Sequence, residues 1–257
     1  MENTKIGYAM LERLKSVGEP IGKKDRAFFL PRAEGRRIAI SDIHGCFETF
    51  CRLLEKVDLQ KKDQLFLLGD YVDRGPYSRL VLRKIFQLLQ DGYFLVALRG
   101  NHEQLLMDFH GAGSRKLGLF AERQNALHLV KNGTQLRSGL HDFFDSLPYY
   151  IETDKHLLVH GGFDPEAKKP LKSWHDMLWI RRFEYSKEIF REKRIVHGHV
   201  PTEWKRIKSA VRSGAPVWPI DNACVRAGHS GYGRLIAVDL DSGELWKCKN
   251  RDSRRVY

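Results

Sequence analysis

The chain has 257 residues, 42% of them hydrophobic, and its 44 Lys and Arg against 32 Asp and Glu give a formal net charge of +12. That length supports one globular core with small decorations, and the charge favours anionic partners. With no apolar run of about 18 residues and no apolar core near the first residues, neither a membrane span nor a signal peptide is expected, and a cytoplasmic protein is.

Ile6, Met10, Leu11, Leu14 and Val17 recur at helical spacing, and the Gly- and Pro-containing stretch 18–24 follows them. Residues 1–36 therefore read as an appended helix and linker ahead of a main domain over 37–257. Cys46, Cys51, Cys224 and Cys248 show neither a CxxC pair nor zinc-finger spacing, so free thiols are expected.

Arg37 to Ile40 reads as a strand that ends in Ser41-Asp42-Ile43-His44-Gly45. Alternation along extended backbone sends Asp42 and His44 to the same side, where a carboxylate and an imidazole can grip one cation. A helix follows over about 46–57, then the buried strand Gln64 to Leu68, which opens into Gly69-Asp70-Tyr71-Val72-Asp73-Arg74-Gly75. Two carboxylates and a guanidinium on one glycine-bounded turn suit a divalent metal that holds a phosphate, although an ion-paired turn has the same composition.

A helix over about 77–89 leads to a third strand, Tyr93 to Leu98, ending in Arg99-Gly100-Asn101-His102-Glu103. This β-α-β-α order implies parallel strands. Residues from about 104 to 147 are mostly helical in pattern, with breaks at 111–118 and at Asn132-Gly133. Leu157 to Val159 ends in His160-Gly161-Gly162, and Ile195-Val196 ends in His197-Gly198-His199. Val217 to Ile220 and Leu235 to Leu240 are further strands, and a frayed basic tail is expected from Lys247. Five apolar strands thus deliver Asp, His or Asn at their C-terminal ends, where open α/β sheets place their ligand crevice. Five such groups meeting in one crevice repel unless cations neutralise them.

These motifs, in this order over about residues 37–240, resemble the metal-dependent phosphoesterases, and within them the phosphoprotein phosphatase branch with its short bacterial and phage serine/threonine phosphatases. The resemblance implies an α/β fold, a two-sheet β-sandwich flanked by helices in four layers, with the catalytic domain over 37–257. It implies two divalent metal ions, manganese first, with iron, zinc, cobalt or nickel as alternatives. Asp42 and His44 would hold one ion, Asp70 would bridge, and Asn101, His160 and His199 would hold the other. Arg74 and Arg181 match the family's phosphate-binding arginines, with Arg182 the competing candidate for the second; Asn101 also faces the phosphate.

Such a site generates a metal-bridging hydroxide at neutral pH and clamps the phosphoryl oxygens for in-line attack. Adjacent side chains on a turn diverge, so His102 is assigned to the leaving oxygen as general acid, with the Asp73 carboxylate holding the ring and keeping its pKa high. The expected function is hydrolysis of phosphomonoesters, with phosphorylated protein or a small phosphoester as partner and no specific nucleic-acid binding. Hydrolysis of dinucleoside polyphosphates is the alternative, because the leaving group is read by loops outside these motifs. A non-catalytic metal-binding scaffold is the third reading. Val200 stands where short bacterial members carry threonine, Asp221-Asn222-Ala223 replaces a glycine-containing loop, and 224–233 is unlike the corresponding eukaryotic loop.

Overall fold

The apolar runs pair with strands distant in the chain, and the pairing gathers their C-terminal ends along one rim. In the computed structural model, which describes residues 2–22, 26–111 and 115–252, β3 (Arg37–Ile40), β4 (Gln64–Leu67) and β5 (Phe94–Ala97) lie parallel. Ile38 is opposite Leu65, and Leu65 opposite Leu95. The intervening helices α2 (Phe47–Val57) and α3 (Ser78–Gln90) make the crossovers that parallel strands require. β12 (Arg234–Asp239) and β13 (Leu245–Lys249) add antiparallel to the β3 edge, giving the order β13-β12-β3-β4-β5. A second, six-stranded sheet takes β1 (Glu19–Pro20), β2 (Ala27–Phe29), β8 (Tyr150–Glu152), β9 (His156–Val159), β10 (Arg194–His197) and β11 (Val217–Pro219) in that order.

Side-chain alternation assigns the layers. Ala39, Phe66 and Val96 face Leu158, Val196 and Trp218 of the second sheet and fill the space between the sheets. Ile38, Leu65 and Leu95 point the other way, onto Phe50 and Leu53 of α2 and Ile85 of α3. Tyr150, Leu157 and Ile195 close the outer face of the second sheet with Met177 of α7 (Trp174–Trp179) and with Phe163 and Phe190. The molecule is therefore the expected two-sheet sandwich between helical layers. α8 (Trp204–Arg212) buries Ile207 and Val211 in the inter-sheet core. α1 (Glu2–Val17) buries Met10 and Leu14 and docks beside α6 (Leu140–Ser146), and its Arg13 Nη1 donates to the Tyr93 carbonyl at 2.9 Å.

Three local expectations are corrected. Residues 18–24 are not simply a linker: β1 pairs with β2, which pairs in parallel with β8, so the extension contributes an edge to the second sheet; residues 23–25 lie outside the described residues. The tail from Lys247 is not frayed as far as Asp252. Lys247 lies opposite Ile236 in β13, and the Asp252 carboxylate accepts the Glu48 and Thr49 N–H groups at 2.7 and 3.0 Å, capping α2, whose own N-cap residue Cys46 supplies no side-chain bond. Between α5 (Arg115–Arg123) and α6 the chain forms a hairpin, β6 (Val130–Lys131) with β7 (Gln135–Leu136), turned where Asn132 and Gly133 take φ of 54° and 69°. The breaker residues were a turn signal there, not a helix interruption. α4 (Asn101–Gly111) begins at Asn101 itself. No helix among the described residues is long and apolar enough to cross a membrane.

Candidate metal centre

The loops that leave β3, β4 and β10 are backbone-strained where they carry polar side chains. His44, Asp70, Asp73, Arg74 and His199 all have positive φ, between 46° and 70°. Such conformations cost on the order of 1–3 kcal/mol for a non-glycine residue and persist only where surroundings over-determine them. Here the glycines let the loops close on one another. A Cβ on Gly100 would stand 2.2 Å from Asp70 Oδ1, and one on Gly198 would stand 2.1 Å from Asp42 Oδ2.

The structure gathers four of the expected ligands, His44, Asp70, His160 and His199, into two clusters that share Asp70, and one of the clusters also takes in His102, which was not expected as a ligand. His44, Asp70 and His102 form one, and Asp70, His160 and His199 the other; in each the nitrogen and oxygen atoms lie within 4.8 Å of one another. Asp70 Oδ2 is 3.5 Å from His44 Nε2, and Oδ1 is 3.5 Å from His160 Nε2. His44 Nδ1 and His160 Nδ1 are spent on the carbonyls of Val72 and Leu68, at 2.9 and 2.8 Å. Each Nε2 therefore turns a lone pair inward. Asn101 Oδ1 lies 2.9 Å from both His160 Nε2 and His199 Nδ1. An amide oxygen facing an imidazole lone pair at that distance is repulsive without a cation between them, so the donor set fits a metal ion. Asp42 stands at the same rim but outside both clusters: its carboxylate accepts the His199 N–H at 3.0 Å and the Ser41 hydroxyl.

His102 occupies a different niche from its neighbour Asn101. Its Nδ1–H donates to Asp73 Oδ2 at 2.7 Å, and its Nε2 accepts from Arg74 Nη2 at 3.0 Å, which defines a neutral ring with the proton on Nδ1. Asp73 does not hold the His102 pKa high, as expected from the sequence: burial drives the imidazole below its ordinary value and the Asp73 carboxyl up to about 8. Arg181 and Arg182 are both exposed. Arg181 lies near enough to His199 to help depress its pKa, after burial and His160, to about 3, whereas Arg182 lines a separate surface hollow with Asp164, Phe183 and Tyr185.

The buried carboxyls dictate how metal-free protein responds to pH. Burial raises Asp70 to about 7 and Asp73 to about 8. A raised folded-state pKa means the native state holds more protons than the unfolded chain, so this stability is fully present below the unfolded carboxylate value and is lost as pH rises toward 8. Below about pH 6.5 the buried imidazoles of His44, His102, His197 and His199, whose pKa values are depressed by burial, act in the opposite sense, so melting temperatures in the presence of a chelator should fall between about pH 7 and pH 8, and added Mn²⁺ should stabilise more strongly at the upper end. A flat profile would contradict the burial of these groups.

Two contributors went unassigned in the sequence reading. The Glu103 carboxylate is fully buried and accepts the N–H groups of Asp70, Tyr71 and Gly100 at 2.9, 2.9 and 3.0 Å, locking the β4 loop to the start of α4. Its signal was present, an acidic residue in the first turn of a helix, the place of a capping box. Glu103→Ala should lower unfolding free energy by roughly 3 kcal/mol or more, since each orphaned buried donor costs about 1–3 kcal/mol; urea titration measures it. Asp221 is buried at the end of β11, and burial with the nearby Asp42 charge holds its carboxyl well above the usual range. It belongs to a sixth strand end that pattern alone treated as a variable loop.

Comparison with known proteins agrees with this geometry. The calcineurin-like phosphoesterase model matches residues 35–233. A symmetrical bis(5'-nucleosyl)-tetraphosphatase of Chromobacterium violaceum is 35% identical over 171 residues, 65% of this chain and 57% of that protein. Serine/threonine-protein phosphatase 1 of Salmonella typhimurium is 28% identical over 149 residues, 55% of this chain and 67% of that one. The chain thus spans little more than half the length of the tetraphosphatase. A serine/threonine phosphatase structure from Saccharomyces cerevisiae superposes with a TM-score of 0.61 at 16% identity, over 96% of this chain and 89% of that chain, and shows the same fold. The matched span runs from the strand before Asp42 to beyond His199 and Asp221, and the chain belongs to the calcineurin-like phosphoesterase family.

Proposed function

We propose that the chain hydrolyses dinucleoside polyphosphates, cleaving a phosphoric anhydride at a site built for two divalent metal ions. The observation that supports the site is the Asp70 carboxylate, equidistant at 3.5 Å from the inward-facing Nε2 atoms of His44 and His160. His44, with Asp42 standing at the same rim, would hold one ion, and Asn101, His160 and His199 would hold the other. Bound there, two divalent cations supply an activated water and charge neutralisation of the phosphoryl oxygens. Arg74 and Arg181 orient the phosphoryl group, Asp73 fixes the His102 ring, and Glu103 keeps the Asp70 and Asn101 loops in register. The substrate class rests on the tetraphosphatase relative, which is more similar in sequence than the protein phosphatase. Manganese is the first metal to try, since carboxylate, amide and imidazole ligands accept it readily.

The test is a panel of diadenosine tetraphosphate, a phosphoserine peptide and p-nitrophenyl phosphate on protein reconstituted with each metal in turn. A kcat/KM for the tetraphosphate about a hundredfold above that for the peptide is expected; the reverse preference would return the chain to the protein phosphatases. In the same assays Arg74→Ala and Arg181→Ala should raise KM and lower kcat with metal content intact. A larger loss in Arg182→Ala would mean the wrong arginine of that pair has been assigned.

A further inference from the structure

Beside the metal centre lies a cavity of about 310 Å³, lined by Arg74, Arg123, Gln124, Asn125, Val225 and Arg226. Sites for small ligands start at roughly 300 Å³. Three chain segments far apart in sequence wall it: the turn after β4, the turn that closes α5, and the loop after β11. The first two are clamped together, since Arg74 N–H donates to the Gln124 carbonyl at 2.7 Å and Asn125 Nδ2 donates to the Gly75 carbonyl at 3.2 Å. Asn125 adopts a φ of 57° to do so. The third is pinned by Asn222 Nδ2, which donates to the carbonyls of Thr202 and Gly231 at 2.9 and 2.8 Å.

The charge of this cavity is uncompensated from within, although Arg74 also faces the buried carboxyls of Asp70, Asp73 and Asp221. Three of its six lining residues are arginines and none is acidic. Elsewhere Arg26, Arg36, Arg37 and Arg99 each meet a carboxylate. Among the described residues no hydrogen bond or ion pair engages the side chain of Arg123 or Arg226. Arg74 joins cavity and metal centre, because the guanidinium that donates to His102 Nε2 also lines the cavity. A substrate whose scissile phosphorus sits at the metal centre therefore extends past Arg74 toward Arg123 and Arg226. A phosphoserine peptide would bring a neutral backbone there, whereas a polyphosphate brings one further negative charge for each phosphate, matched to guanidinium forks.

We propose that this cavity is the subsite for the departing half of the substrate, a nucleoside diphosphate bound through its phosphates by Arg123 and Arg226. This deepens the dinucleoside polyphosphate reading and rests on it. Water oxygen bonds to the scissile phosphorus, the bond to the bridging oxygen breaks, and that oxygen keeps the electron pair as the terminal oxygen of the diphosphate held by the arginines. From a dinucleoside tetraphosphate two nucleoside diphosphates result, and two protons pass to solvent.

The test uses the manganese-reconstituted full chain, wild type and Arg123→Ala/Arg226→Ala, with two readouts. One is the ratio of kcat/KM for diadenosine tetraphosphate to that for p-nitrophenyl phosphate, which should fall roughly 10- to 100-fold in the double variant, as expected for lost charged hydrogen bonds. The other is inhibition of p-nitrophenyl phosphate hydrolysis, where the inhibition constant of ADP should rise by a similar factor and that of orthophosphate should stay within about twofold, because orthophosphate has no group to reach the cavity. Arg123→Lys/Arg226→Lys should recover part of both effects. An unchanged ratio with only a lower melting temperature would reduce Arg123 to compensating the negative end of α5 and overturn the proposal. An equal loss on a phosphoserine peptide would overturn it too, in favour of an acidic peptide. If wild-type protein leaves diadenosine tetraphosphate intact, the substrate reading fails, and the comparison of ADP with orthophosphate still decides whether the cavity takes a diphosphate.

Discussion

Asp70→Asn should abolish stable binding of the second metal ion and lower metal affinity by roughly a hundredfold or more, a larger loss than Asp42→Asn produces. The reason is geometric and electrostatic. Among the described residues Asp70 is the one carboxylate within 3.5 Å of an inward imidazole nitrogen on each side, so its charge is shared by both proposed ions, and a neutral amide supports neither. Asp42 stands outside both clusters and is held by Ser41 and the His199 N–H. Elemental analysis of the purified variants reads the first outcome. Metal-free protein supplies an independent one: burial lifts the Asp70 carboxyl to about 7, so at pH 8 the native state carries a costly buried charge that the amide removes. Asp70→Asn should therefore be more stable than wild type in chelator at pH 8, yet gain less from Mn²⁺. Full two-metal occupancy in the variant would end the bridging assignment.

His102→Asn should cost roughly 10²- to 10⁴-fold in turnover of substrates with poor leaving groups, the range of general acid catalysis. The ring is buried, gripped by Asp73 at 2.7 Å on Nδ1, and leaves Nε2 toward Arg74 on the substrate side. A proton reaching Nε2 displaces the Arg74 hydrogen bond, frees that guanidinium for the phosphoryl group and can pass to the leaving oxygen. A serine alkoxide needs that proton most, whereas a nucleoside diphosphate and nitrophenolate, both weak bases, need little help to depart. With metal content matched, the loss should be larger on a phosphoserine peptide than on the other two. Equal losses on all three would mean that His102 acts by holding Asp70, whose Oδ1 accepts the His102 backbone N–H at 3.1 Å, and the acid role would have to be given up.

Much of the site was legible in the linear pattern because its information is local. A short apolar run bounded by glycine marks a buried strand and its end, but the period of two does not carry on to Asp42 and His44, since β3 ends at Ile40, His44 takes a φ of 46° and Asp42 stands outside the cluster that holds His44. The motif at 69–75 holds Asp70, Asp73 and Arg74 within one turn. Glu103 was present in that pattern without its role, since its three donors come from the β4 loop and from Gly100, which only the packed chain brings together. The same holds for Asp252, which caps a helix 204 residues earlier at the Glu48 N–H, and for β1 and β2, whose partner strand starts at Tyr150. β1 is an exposed two-residue edge, Glu19–Pro20, that reads equally well as a loop, and β2 is a buried apolar run of only three residues, too short to announce a strand by period.

The ligand types and their order thus follow from the chain itself, and the fold class follows from strand and helix order. Tertiary packing decided which imidazole nitrogen faces inward, through the carbonyls of Val72 and Leu68, and which carboxyls are lifted by burial. It also decided which arginines remain without an acid, and so where a further negative charge can be held. Hydrophobic period and turn chemistry are properties of neighbours in sequence, whereas the state of a proton and the partner of a charge depend on what is excluded from water around them, and that is set only when distant segments close on one another.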